Sequence, residues 1–237
     1  MTLQEIQFKL YEMLKPSGWG DKLKTFILGG EFQRILSTLY SESQAGRKFT
    51  PVLANVFRAF EQCPYNELKV VMIGQDPYSR ALVADGIAFS CSKNTEPQPS
   101  LRAILEEVDR TVNPWPTEWD LDLKRWSNQG VLLLNSALTC EIEKSGSHTE
   151  LWKPFIQYLL DTLTTTNPGL IYAFLGTNAK ELHKLISSKQ NYKFFCSHPA
   201  SVVYNKEFDK TAIWDSGDLF NSINNLLMKT NRNKITW

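Results

Sequence analysis

Four short, nearly unbroken apolar runs set the tightest limit on what this chain can fold into: LKVVMIG (68–74), GVLLLN (130–135), GLIYAFLG (169–176) and YKFFCS (192–197). Each has the length of a strand, and unbroken apolarity means that other elements cover both of its faces. Around them, apolar residues recur at helical spacing near residues 3–14, 30–41, 51–62, 100–110, 149–165, 178–188 and 217–229. Pro51, Ser100 and Pro154 fit first-turn or cap positions. Helices alternating with doubly covered strands predict an α/β protein, three-layer α/β/α with a short central, largely parallel four-stranded sheet. In such sheets ligands bind beyond the carboxyl ends of the strands.

With 237 residues, 42% hydrophobic and 22% charged, the chain suits a single domain over 1–237 in which residues 1–48 form a helical N-terminal part. The opening MTLQEIQFKLYEMLK intersperses Glu5, Lys9, Glu12 and Lys15 among its apolar residues, unlike the apolar core of a secretion signal. No apolar run approaches membrane-spanning length. The expectation is an intracellular protein, cytoplasmic or nuclear, with no membrane partner. Cys63, Cys91, Cys140 and Cys196 form no CxxC pair and the chain has three histidines, which predicts neither disulfides nor a zinc site. A net charge of +1 neither announces nor excludes nucleic acid, because phosphate binding depends on where charges lie.

The residues that follow the four runs carry the chemistry. The first run leads into GQDPYS, Gly74 to Ser79; the second ends in Asn135; the third leads to Gly176 and Thr177; the fourth leads to His198 and Pro199. Singly, each has an ordinary structural reading: a turn starter, a cap, a helix start, a satisfied surface imidazole. Gathered on consecutive strand ends they form a candidate site. Asp76 can orient a water or stabilise positive charge, and His198 can donate a hydrogen bond to developing negative charge. Asn135 presents a donor and an acceptor side by side, matching an imide-like edge. Tyr78, and Phe89 in GIAFSC, offer flat faces to a planar group. No GxSxG motif is present, so a nucleophile-elbow hydrolase is disfavoured.

These motifs resemble, in order and from about Phe49 to Trp237, those of the family 1 uracil-DNA glycosylases. GQDPYS is similar to that family's GQDPYH, GIAFSC to GLCFSV, PQPSL to its proline-rich loop, GVLLLN to its asparagine strand, LGTNA to its GS loop, SHPASVV to HPSPLS, and KITW to the closing IDW. The resemblance implies an enzyme that flips uracil out of DNA and hydrolyses its N-glycosidic bond, leaving an abasic site, with no lyase step, metal or organic cofactor. It implies that Asp76 positions the attacking water and stabilises the sugar cation, that His198 bonds uracil O2, and that Gln75 shapes the pocket through its backbone. Tyr78 excludes the thymine methyl, Phe89 stacks on the base and Asn135 reads its edge. Ser79, Arg80, Ser100, Gly176, Thr177, Ala200, Ser201 and Val202 fall in the loops that hold the DNA. The partners implied are uracil-containing DNA, single- or double-stranded, and proteinaceous glycosylase inhibitors or replication proteins, for a protein acting as a monomer.

Three departures accompany the resemblance. Ser79 stands where the family has histidine, followed by Arg80; Val202 stands where a leucine wedge fills the gap left by the flipped base; Ala200 and Ser201 replace a serine and a proline. Residues 1–48 diverge altogether. The three loop changes lie in the DNA-handling loops and leave the pocket residues in place. The competing expectation is a catalytically weak DNA- or protein-binding module on the same fold.

Overall fold

The computed structural model describes residues 2–113, 118–186, 190–202 and 213–237. Three helices come first: α1 (Leu3–Leu14), α2 (Trp19–Ile27) and α3 (Gly30–Gln44). A reciprocal cap starts α1, Glu5 N–H donating to Thr2 Oγ1 at 3.2 Å and Thr2 N–H to Glu5 Oε2 at 2.8 Å. Then follow β1 (Phe49–Thr50), α4 (Arg58–Gln62), β2 (Val70–Gly74), α5 (Pro99–Thr111), α6 (Lys124–Ser127) and β3 (Val131–Asn135). The chain continues through β4 (Cys140–Glu141), α7 (Thr149–Thr166), β5 (Ile171–Leu175), α8 (Thr177–Glu181), β6 (Tyr192–Cys196) and α9 (Leu219–Lys229).

All four apolar runs become strands of one sheet, ordered β3–β2–β5–β6 and parallel at every pairing. Parallel neighbours need crossover connections, which the intervening helices supply. Every residue of β2 and β5, and four of five in β3, is buried, so helices cover both faces of the sheet there. The run in β6 departs from that expectation: Tyr192 and Phe195 keep 39% and 44% of their surface exposed. β6 is one of the two terminal strands, with β5 as its single strand neighbour, and it is the more open of the two, since β3 at the opposite edge is buried at four of its five residues.

Local details also differ from the periodicity. The predicted helix over 51–62 is a 3₁₀ turn at Leu53–Asn55 followed by the short α4, and Pro51 sits outside both, after β1. Pro154 lies inside α7, past its first turn. The stretch 178–188 is α8 plus a 3₁₀ turn at Leu182–Leu185, with 187 and 188 outside the described residues. The short α2 and α6 and the antiparallel β1–β4 pair are additions; elements this brief carry too few apolar repeats to register as a period.

The N-terminal helices join the common core through aromatic edges. Phe26 meets Phe155 of α7 at 5.4 Å between ring centroids, and Phe32 meets Phe57 at 5.7 Å. At the other end, Trp237 is buried against Trp126 and Phe220 at 5.3 and 5.0 Å. Asn224 clamps that tail by exchanging two hydrogen bonds with the Ile235 backbone. No described helix is long and apolar enough to cross a membrane. Leu133 in β3 is fully buried, so Leu133→Ala lowers unfolding free energy by about 2–5 kcal/mol, measured by denaturant titration.

Candidate active site

Parallel pairing of β2 and β3 sets Gly74 opposite Asn135 at their carboxyl ends. A Cβ on Gly74 would come within 2.8 Å of Phe89 Cζ and 3.0 Å of Asn135 Oδ1. Only glycine lets the aromatic face and the carboxamide approach the same strand end. Around that point lies a cavity of about 240 Å³ whose walls include Gln75, Asp76, Tyr78, Ser79, Phe89, Ser100, Asn135, Ser145 and His198. The structure thus brings together the six residues named for base and bond, plus Ser79 and Ser100.

The loop after β2 is tied to the segment after β3. Ser136 Oγ and Ala137 N–H both donate to the Gln75 carbonyl, at 2.8 and 3.1 Å, and Glu143 N–H donates to the Ser79 carbonyl at 3.0 Å. These bonds fix Asp76 between two backbone anchors. Its two oxygens have different surroundings. Oδ2 accepts from Ser145 Oγ, from Gly146 N–H at 2.9 Å and from Gln75 Nε2 at 3.1 Å. Oδ1 is buried and has no hydrogen-bond partner among the described residues. A buried acceptor of that kind is costly unless a ligand hydrogen meets it.

Phe89 holds a left-handed backbone conformation, φ +67°, unusual for an aromatic residue. Its carbonyl accepts from Tyr78 Oη at 2.9 Å, and burial pushes the Tyr78 phenol far above its ordinary value, so the donor keeps its proton. Just upstream, Asp85 is a buried carboxylate that accepts from Ser90 Oγ at 2.6 Å, Ser92 N–H at 2.9 Å and Ile87 N–H at 3.2 Å. Arg58 lies 3.1 Å from it as an ion pair without hydrogen-bond alignment, while its other nitrogen bonds Asp122 at 2.7 and 2.8 Å.

His198 follows β6 and faces Phe89, ring centroids 6.4 Å apart. Ala200 N–H donates to its Nδ1 at 3.1 Å, so Nδ1 is an acceptor and the ring proton of the neutral form sits on Nε2. Burial lowers the His198 midpoint from 6.5, outweighing the pull of Asp76 in the opposite direction. The imidazole is therefore neutral near pH 7, with a donor on Nε2. A Cβ on Gly176 would lie 3.0 Å from His198 Cβ, and at φ +95° this position suits glycine.

The remaining predicted residues sit at the margin. Arg80 and Thr177 are exposed; Ala200 and Ser201 form the turn after Pro199, Ser201 N–H returning to the His198 carbonyl at 2.9 Å. Val202 corrects its expected role: the turn folds it inward to 3% exposure, within the hydrophobic core, so in this conformation it presents no wedge. Two contributors escaped the sequence reading. Ser145 stands 69 residues from Asp76 in a stretch that reads as an ordinary polar turn, and Asp85 reads as the start of an Asp-Gly turn.

An α/β fold whose strand ends gather a carboxylate, a carboxamide and a neutral imidazole donor about one aromatic face has the architecture of a DNA glycosylase. The model of the Uracil DNA glycosylase superfamily matches residues 60–225. The uracil-DNA glycosylase of Francisella philomiragia subsp. philomiragia is 32% identical over 192 residues, covering 81% of this chain and 88% of the relative. That of Francisella tularensis subsp. tularensis is 32% identical over 191 residues, covering 80% and 87%. Among solved structures, mimivirus uracil-DNA glycosylase superposes with a TM-score of 0.82 at 25% identity, over 96% of this chain and 88% of that one. A mimivirus variant solved in complex with UGI gives 0.80 at 26%, over 92% and 87%. The chain belongs to the uracil-DNA glycosylase superfamily.

The His198 assignment makes a signed prediction. Below pH 6.5 the unfolded chain takes up this proton before the native one does, so the stability tied to neutral His198 is present above 6.5 and is lost as pH falls toward the lower native midpoint. Long-range ¹H–¹⁵N NMR should show His198 titrating below 6.5 and carrying its neutral-form proton on Nε2. Gly74→Ala should leave the sheet folded by circular dichroism while abolishing measurable binding of free uracil, because the methyl displaces Phe89 or Asn135.

Proposed function

We propose that this protein excises uracil from DNA by the route of the family 1 enzymes. The observation that carries the reading is the uneven Asp76 carboxylate: Oδ2 is held by three donors while Oδ1 is buried and unpaired at the cavity that His198 and Asn135 also line. The N1–C1′ bond breaks heterolytically, its electron pair leaving with the base as a uracil anion and the sugar becoming oxocarbenium-like. Asp76 stabilises that cation, and Oδ1 accepts a hydrogen bond from the water that adds to C1′; the water's proton passes by way of the carboxylate to solvent. His198 Nε2–H donates to uracil O2, where negative charge builds.

Selectivity follows from the same walls. The Asn135 carboxamide matches the N3–H and O4 of uracil, and cytosine offers an amino group in place of O4, leaving one buried polar group unpaired. Tyr78, fixed by its bond to the Phe89 carbonyl, occupies the side where thymine carries a methyl group. Ser79 and Ser100 line the cavity, and together with the Gly176–Thr177 turn and Ala200 to Ser201 they are the residues we assign to phosphate, through small hydroxyls and backbone N–H groups. The UGI complex of the mimivirus variant supports a proteinaceous inhibitor as a further partner for this face.

The test uses labelled oligonucleotides with one U·G, U·A, T·A or single-stranded uracil site, incubated without added metal and scored for alkali-sensitive abasic sites. Cleavage occurs at uracil alone, and Asp76→Asn lowers the single-turnover rate by about 10²–10⁴-fold. Absence of abasic product in the presence of measurable DNA binding overturns the reading in favour of a binding module.

A further inference from the structure

A second and larger hollow, about 510 Å³, adjoins the active-site cavity, with Ala84 common to both walls. Arg47 and Lys48, just past α3, form one side, and Lys93 joins the lining from the loop that follows Phe89. Lys48 and Lys93 are exposed and neither takes part in an ion pair among the described residues. Arg47 reaches Glu42 only at 3.8 Å and stays about half exposed. Glu42 also lies 3.1 Å from His148, whose midpoint is lowered by burial, so Glu42 keeps its charge toward Arg47. Nearby Glu141 is answered by Lys144 at 2.7 Å, and exposed Glu143 follows the lining residue Ile142. The walls of the hollow themselves carry three cations and no carboxylate, in a chain whose net charge is only +1.

Its rim is apolar. Leu82 is 77% exposed and has φ +64°, and Val52 is 53% exposed. A leucine held in the left-handed region is strained, and a side chain left 77% exposed gains little burial to offset that strain. Positive charge on the walls with apolar side chains at the edge matches one ligand chemistry: a nucleic-acid strand with phosphates to neutralise and unpaired base faces to cover. A duplex keeps those faces stacked inside.

We propose that this hollow is a binding track for single-stranded DNA, carrying the strand that leads away from the flipped nucleotide. Arg47, Lys48 and Lys93 neutralise phosphates and Leu82 covers a base. The proposal rests on the uracil-excision reading for the strand's starting point, and it gives the N-terminal segment a DNA contact beyond its role in packing.

Binding of a labelled, uracil-free oligothymidylate at a series of salt concentrations tests the track without requiring excision. Lys48→Ala/Lys93→Ala should make the slope of log K against log salt shallower by about 1.4, about 0.7 for each phosphate contact to a single strand. Lys229→Ala/Lys234→Ala, outside both hollows, should leave the slope unchanged. Leu82→Gly, which relieves the backbone strain, should weaken binding severalfold with Tm unchanged or raised. In the lysine variant, kcat/KM on long single-stranded uracil substrates should fall while excision from a minimal uracil trinucleotide is retained. An unaltered salt slope in Lys48→Ala/Lys93→Ala overturns the track. A wild-type protein that excises uracil from neither substrate defeats the excision reading instead, and the oligothymidylate slopes still decide the track.

Discussion

The pairing of Gly74 with Asn135 is the constraint on which the site depends. Two parallel strands in register deliver their ends to the same edge of the sheet, and the missing side chain at Gly74 leaves room for Phe89 and the Asn135 amide to converge there. From that point the chain can reach the opposite wall only if the loop after β2 is held open, which the Ser136 and Ala137 bonds to the Gln75 carbonyl accomplish. The pocket is thus a consequence of sheet register first and of side-chain chemistry second.

Within it, charge is allotted by hydrogen bonding. The same carboxylate that meets three donors on one oxygen presents the other without a partner, so its orientation is set before any ligand arrives. Across the cavity, the Ala200 N–H bond and burial both favour neutral His198, which keeps a donor on Nε2 and avoids placing a buried cation in the cavity wall. Preorganised dipoles of this sort stabilise charge without reorganisation during the reaction.

How much of this was legible in the chain varies with the range of the interactions involved. The strands are readable because burial on both faces writes itself as continuous apolarity, and Asp76, Asn135, Gly176 and His198 all stand at or within two residues of a run's end. Local pattern failed where tertiary contacts decide. β6 is rich in aromatics like its neighbour β5 yet stays partly open, while β3 at the opposite edge is buried; how far other elements cover each edge is a tertiary fact that the strand's own residues do not encode. Val202 aligns with a wedge position but is turned into the core by the fold of its neighbours. Ser145 reaches Asp76 from 69 residues away, and no spacing rule links them.

Phe89 shows how such distant ties bear on function. A buried aromatic residue at φ +67° is held against its own preference, at a cost of about 1–3 kcal/mol, so the surroundings must over-determine it. The Asp85 carboxylate gathers the backbone of Ile87 and Ser92 and the hydroxyl of Ser90 into one knot, and Arg58 anchors that knot to Asp122 on the other side. Tyr78 closes the loop from within the pocket by bonding the Phe89 carbonyl. Removing Arg58 would leave the buried Asp85 charge without its nearby cation, which is more damaging than losing a surface pair. The aromatic ring that lines the cavity is therefore positioned by a buried charge cluster outside it, and that cluster is what holds the strained backbone at Phe89 in place.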